Sequence, residues 1–350
     1  MRYVFILLLC SFDVIGSQCD PQSNKQSIYF SNGMFNEIND ISISVYQLEK
    51  ELSAFINPSA INYEISVNDS EQWLLQILEV AKQKLGDELS MFFIYLSSID
   101  KAPEWFLEAV DEVVRSSFGN VNDQDLRQHV SEYQRAIDNC SKVLVIAHSQ
   151  GNFYANSAWS QVYSRSFGNS MFEQRNFRSL GILSVATPSN YVGHQLLDEG
   201  DHLDITDYVT LTNDAIINIV RNSFPATLAG NVTNSNSSQD PLYHNFVSAY
   251  LAGDVSGSVI GVKTLAILDG LEPGPLKRAP VASSSLKSLA YLPNEQILEA
   301  EFVSDGSIYR YYGVPKSTYD ALMTATSLGS YFYFNVRSSY RYKKVYEGNP

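Results

Sequence analysis

The stretch from Val143 to Gly151, VLVIAHSQG, constrains this chain more than any other. Val143 to Ile146 is an unbroken apolar run between polar residues, the pattern of a strand buried on both faces. Strands of that kind belong to parallel sheets covered by helices on both sides. Ala147-His148-Ser149-Gln150-Gly151 follows at once and runs into a helical pattern over 152–164. At such a strand-to-helix turn the two elements pass close together, which demands small residues two before and two after the serine and pushes its hydroxyl outward. The placement carries the signal, because S-x-G alone arises by chance in many chains.

Strands and helices alternate around this turn. Ser27 to Phe30 is a short apolar strand, followed by Val45, Leu48, Leu52 and Phe55 at helical spacing. Ile61 to Val67 is the next strand, 73–85 a helix, and 125–137 a helix with Leu126, Val130, Tyr133 and Ile137 on one face. Strands over 180–186 and 208–212 continue the series. Repeated strand-helix-strand units predict an α/β class fold, a mostly parallel sheet flanked by helices. Near residue 253 the texture changes. Glycines and prolines from Gly253 to Pro280 predict a linker over 253–282, with a strand inside it over Val259 to Leu268. Residues 283–350 carry a net charge of +1 against −15 for residues 1–282. The overall net charge of −14 disfavours DNA or RNA as a general partner, since phosphates would be repelled.

Met1-Arg2-Tyr3 followed by the apolar run Val4 to Phe12 predicts a cleaved signal peptide over 1–17, hence a secreted or periplasmic protein. Lipid anchoring at Cys19 is the weaker reading, because Gly16-Ser17-Gln18 lacks a lipobox leucine. Export would leave Cys19 and Cys140 as a candidate disulfide, with sequons at Asn68, Asn139, Asn231 and Asn236. The sequence contains no H-E-x-x-H, cysteine cluster, EF-hand loop, P-loop or G-x-G-x-x-G, so no metal or cofactor is expected.

Residues 26–252 resemble the α/β-hydrolase superfamily in its lipase and esterase branch. The resemblance rests on Val143 to Gly151, on the turn Ser31-Asn32-Gly33-Met34 after the first strand, and on the order of polar residues that follows. It implies Ser149 as nucleophile, with the N–H groups of Met34 and Gln150 forming an oxyanion hole. It also implies the chain order Ser, then an acid after a later strand, then His. His129 precedes the serine, His148 is its neighbour, and His194 and His202 come before the next strand, which leaves His244 as base. Asp214, at the C-terminal end of strand 208–212, is the expected acid, with Asp204 the weaker alternative. Asp207 lies at the wrong end of that strand, and Asp240 belongs to the turn before His244. The implied chemistry is acyl transfer on a small-molecule or lipid ester. A thioesterase or amidase would use the same residues, and a non-catalytic binding scaffold is the third reading. Ile216, Ile217, Ile219, Val220 and Phe224 form an apolar stripe that fits either a lipid-contacting lid or a core-packed helix.

Residues 283–346 resemble the KTSC domain, on Ser285 to Tyr291, the hairpin Ile297 to Tyr312 with its Tyr309-Arg310-Tyr311, Gly313-Val314-Pro315, and the run from Ala325 to Tyr342. Asp305-Gly306 is a hairpin turn between alternating strands, and Pro315 starts a short helix. The expectation is a small α+β unit. RNA binding has been suggested for such domains because strand aromatics can stack bases. A charge of only +1 favours a protein, glycan or surface contact instead.

Overall fold

The computed structural model describes residues 25–31, 38–67, 102–117, 123–164, 178–193, 204–274 and 276–346, with Cys19 and short pieces at 80–85, 91 and 95. The expected signal segment 1–17, the Asn32-Gly33-Met34 turn, His194 and His202 lie outside the described residues.

Five strands form the first sheet: β1 (Lys25–Ser31), β2 (Ile61–Ser66), β3 (Ser141–His148), β4 (Leu180–Val185) and β5 (Thr206–Val209). Every neighbouring pair is parallel, in the order 2-1-3-4-5. The described helices of this unit include α1 (Ile38–Leu52), α2 (Glu104–Ser117), α3 (Asp123–Asp138), α4 (Gly151–Ser164), α5 (Ala215–Ser223) and α6 (Ser256–Gly270), and the piece at 80–85, inside the expected helix 73–85, is helical too. Strand β3 shows why its sequence reads as continuously apolar. Leu144 and Ile146 enter one core with Leu48, Leu52, Ile260 and Ile267 of α1 and α6. Val143, Val145 and Ala147 enter a second core with Val130 and Tyr133 of α3 and Ala158 and Trp159 of α4. Period-two side chains therefore feed two cores, one on each face.

Helix α6 corrects the sequence reading of 253–282. Val259 to Leu268 is helical, and Ile260, Ile267 and Leu268 are buried in the first core. Glycine and β-branched residues lower helix propensity, yet here the glycines serve close packing. A Cβ at Gly261 would fall 2.3 Å from the Phe55 ring. At Gly181, facing α6, it would fall 2.7 Å from both Ile205 O and an Ile267 methyl. The stripe on α5 is likewise settled as core, because Ile216, Ile217, Ile219 and Val220 are at most 1% exposed. Phe224, at the C-cap, is half-buried. Two sequon asparagines are structural: the Asn231 amide donates to Tyr208 O at 2.9 Å and the Asn236 amide to Ala252 O at 3.1 Å.

The second sheet is antiparallel, in the order 10-9-8-7-6: β6 (Ala279–Pro280), β7 (Leu286–Leu292), β8 (Ile297–Phe302), β9 (Ile308–Tyr312) and β10 (Arg341–Tyr346). Helices α7 (Lys316–Thr324) and α8 (Leu328–Phe332) and a π-helical turn Tyr333–Arg337 supply Leu322, Phe332 and Val336 to its core. Gly306 sits at φ +73° in the β8–β9 hairpin, as the Asp-Gly turn requires.

The two units meet at the N-terminal ends of β3 and β4. Cys19 and Cys140 form a disulfide across 121 residues, with Cα atoms 5.2 Å apart. Cys140 immediately precedes β3, and Cys19 packs with Leu276, Ala290, Leu292 and Ile297 of the second unit. Lys142 pairs with Glu295 at 3.3 Å beside them. Reducing this bond, or a Cys19→Ser replacement, is expected to lower stability by about 2–4 kcal/mol through the loop it closes. Urea unfolding with and without reductant measures it.

Candidate active site

The strand order reverses between β1 and β3, and in open α/β sheets a crevice forms there at the C-terminal strand ends. Ser149 stands at that rim, one residue past β3. Its φ of +53° is left-handed, a region that costs a non-glycine residue on the order of 1–2 kcal/mol. The surroundings hold it there. Ser149 N donates to Val185 O at 3.0 Å, tying the turn to the end of β4. The buried Asn152 amide donates to Ser149 O at 2.8 Å and to Val185 O at 3.0 Å. Ser31 Oγ, at the end of β1, reaches Gly151 O at 3.4 Å.

His244 arrives from the other side of the crevice, on a turn organised by Asp240. One Asp240 oxygen accepts from Leu242 N at 3.0 Å; the other accepts from His244 N and Asn245 N, both at 2.7 Å. Asn245 then caps the π-helical segment Phe246–Leu251. Asp240 thus has the turn role its position implied.

Asp214, fully buried, caps α5 by accepting Ile217 N at 2.9 Å. Both its oxygens face His244 Nδ1, at 3.0 and 2.9 Å. A carboxylate only accepts, so Nδ1 carries the proton and the Nε2 lone pair faces outward. Ser149 Oγ lies 2.9 Å from Nε2, placed to donate to it. Serine, histidine and aspartate predicted from chain order therefore form one hydrogen-bonded line. Asp204, the alternative acid, pairs instead with Arg178, and Asp207 pairs with Lys263. Gln150 follows Ser149 at the entry to α4 and is buried. Met34, the other expected oxyanion donor, lies outside the described residues.

Sequence reasoning missed Tyr250 and Asn152. Tyr250 OH donates to Asp214 Oδ2 at 2.7 Å and accepts Leu211 N–H at 3.1 Å. Burial, and then the neighbouring Asp214 carboxylate, push its phenol well above the usual range, so it stays a donor. An aromatic six residues after a histidine reads as ordinary core, and nothing in the sequence distinguishes this one. His129, which precedes the serine in the chain, is buried and donates from Nε2 to Val67 O at 2.9 Å.

His148 is buried behind the line. Its Nε2 donates to His244 O at 2.8 Å, and its ring lies 5.0 Å from the His244 ring. Burial first, and His244 second, lower its pKa from 6.5 to about 3. It is neutral when folded and takes up a proton when unfolded at acidic pH. Its stabilising contribution is therefore full above 6.5 and falls as the pH drops toward 3. Between pH 6.5 and 5 the loss should be about 2 kcal/mol. Urea unfolding at those two pH values, compared with a His148→Gln variant lacking that share of the dependence, checks it.

Among the described residues, no group of three or more His, Cys, Asp or Glu is arranged to hold a metal ion, and no helix is long and apolar enough to cross a membrane. Comparison with known proteins speaks to the other end of the chain. Residues 282–347 match the KTSC domain family. The C-terminal unit is a KTSC domain. An uncharacterized protein of Stutzerimonas stutzeri is 53% identical over 57 residues, 16% of this chain and 79% of that one. A Tsukamurella paurometabola protein is 39% identical over 62 residues, 18% of this chain and 91% of its own. A solved KTSC domain protein from Yersinia pestis is 33% identical, covering 20% of this chain and 97% of that chain, with a TM-score of 0.19.

Proposed function

We propose that the first unit is a serine hydrolase of the α/β-hydrolase type, acting on carboxylic esters of small-molecule or lipid character. The observation that carries this reading is the line Ser149–His244–Asp214, with contacts of 2.9 and 2.9–3.0 Å, on a strained turn at the strand rim. In this mechanism Ser149 Oγ attacks the ester carbonyl while His244 Nε2 takes its proton. Asp214 holds the imidazole tautomer and stabilises the imidazolium. The tetrahedral oxyanion is received by backbone N–H groups, for which the resemblance implies Gln150 and Met34. Collapse expels the alcohol, protonated by His244. Water, deprotonated by the same nitrogen, then attacks the acyl-enzyme and releases the acid. A thioesterase or amidase would follow the same steps and differ in the leaving group.

The KTSC unit sits at the opposite strand ends, so in this reading it does not line the pocket. A disulfide at its seam supports an oxidising compartment, in keeping with a secreted or periplasmic protein. A purely binding role fits less well, because a binding surface has no need of a left-handed serine in line with a carboxylate-held histidine.

Fluorophosphonate treatment of the purified protein tests the proposal. The expected result is one label per chain, located on Ser149 by peptide mass spectrometry. A folded protein that takes no label there, with and without detergent, would sink the hydrolase reading and favour a binding scaffold.

A further inference from the structure

Arg310, at the centre of Tyr309-Arg310-Tyr311, is a fully buried cation in the middle of the KTSC sheet. Within the KTSC unit its Nε donates to Glu299 Oε2 at 2.9 Å. Further bonds reach the connecting segment. Nη1 donates to Glu272 Oε2 at 2.8 Å, and Nη2 to the carbonyls of Pro273 at 3.0 Å and Gly274 at 2.7 Å. Tyr312 OH adds a bond to Glu272 Oε2 at 3.3 Å. All these connector residues precede the family match, which begins at 282.

Residues 276–280 carry the same segment on along the domain. Leu276 is fully buried among Ala290, Leu292 and Ile297, and its N–H approaches Glu299 Oε2 at 3.5 Å. Arg278 also pairs with Glu299. Ala279 and Pro280 then join the sheet edge antiparallel to β7, opposite Leu289 and Ser288. An acidic side chain on a buried arginine, backbone carbonyls read by the same guanidinium, an apolar anchor in a pocket, and strand addition at an edge are together the physics of peptide recognition. Taking acceptors away from a buried arginine is costly, which holds the segment against this face.

We infer that the KTSC unit is a peptide-capture module. Its ligand is an extended segment bearing Glu-Pro-Gly, an apolar residue four positions after the Glu and an arginine two positions later. In this protein residues 272–274 and 276–280 of the same chain fill the groove and fix the seam between the units. This inference is independent of the hydrolase reading.

Amide hydrogen exchange on the full-length protein, with and without Glu272→Ala plus Leu276→Ser, separates a captured ligand from an integral strand. Capture predicts that amides at 276–279 exchange roughly 100-fold faster in the variant while those of β7, β8 and β9 keep their protection. The opened variant should then bind a fluorescent peptide of residues 271–281, and the wild type, whose groove is filled, should not. The inference is overturned if β7–β9 lose protection together with the segment, or if the segment stays protected in the variant. It also fails if the opened variant binds no peptide up to about 1 mM. A swapped dimer of the wild type on size exclusion would overturn the assignment of the segment to its own chain.

Discussion

Ester turnover should fall by on the order of 10⁴-fold or more when Ser149 is replaced by alanine, and by about 10⁴-fold for Asp214→Asn. The second loss has a specific origin here. Asp214 accepts from His244 Nδ1, Ile217 N and Tyr250 OH. Ile217 N bonds Oδ1 and Tyr250 OH bonds Oδ2, so an asparagine whose carbonyl oxygen keeps Ile217 N sets its NH₂ in the Oδ2 position, where it meets Tyr250 OH and the histidine as a donor. The imidazole must present a lone pair to it, which places the proton on Nε2, facing the serine. The nucleophile loses its base while the fold is kept. Because the three residues act as a unit, the double variant should be hardly slower than Ser149→Ala alone. Single-turnover assays with an activated ester measure all three, and near-equal rates for wild type and Asp214→Asn would refute the relay.

Replacing Arg310 with methionine should destabilise the KTSC unit by about 3–5 kcal/mol, the usual consequence of removing one partner from a buried ion pair. Glu299 keeps Arg278, so the groups that lose a partner are Glu272, which retains only Tyr312 OH among the bonds named above, and the carbonyls of Pro273 and Gly274. Adding Glu272→Gln should therefore recover part of the loss. All three tryptophans, Trp73, Trp105 and Trp159, precede residue 283. Tryptophan fluorescence thus follows the first unit alone, while far-UV dichroism follows both. The Arg310→Met transition should shift in dichroism much more than in fluorescence. A common shift would mean that the units unfold as one.

Much of this architecture is legible in the residues, for reasons that can be named. Val143–Gly151 compresses strand, turn and helix start into nine consecutive positions, so local pattern and tertiary role coincide. His244 and Asp214 were reachable because a fixed chain order and a small number of histidines leave few assignments. Tyr250 was not, because its role depends on a fold that brings it beneath Asp214 from 36 positions away. Helix α6 was misread since its glycines look like linker punctuation until Phe55 and Gly181 are seen pressed against it. The α5 stripe was ambiguous for a related reason. An apolar helix face shows that it must be covered and leaves open what covers it. Arg310 sits in an aromatic strand, and one of its acidic partners, Glu272, lies 38 positions earlier, across the boundary between units.

Strand β3 has the Cys140 disulfide at one end and Ser149 at the other. Its eight residues set these ends about 26 Å apart. Variation in the loops at one rim can alter which molecules enter the crevice without disturbing the seam. Variation on the KTSC surface can alter what the tail contacts without reaching the serine. The two halves of the molecule are free to specialise separately, like a tool head and a handle joined by one rigid shaft.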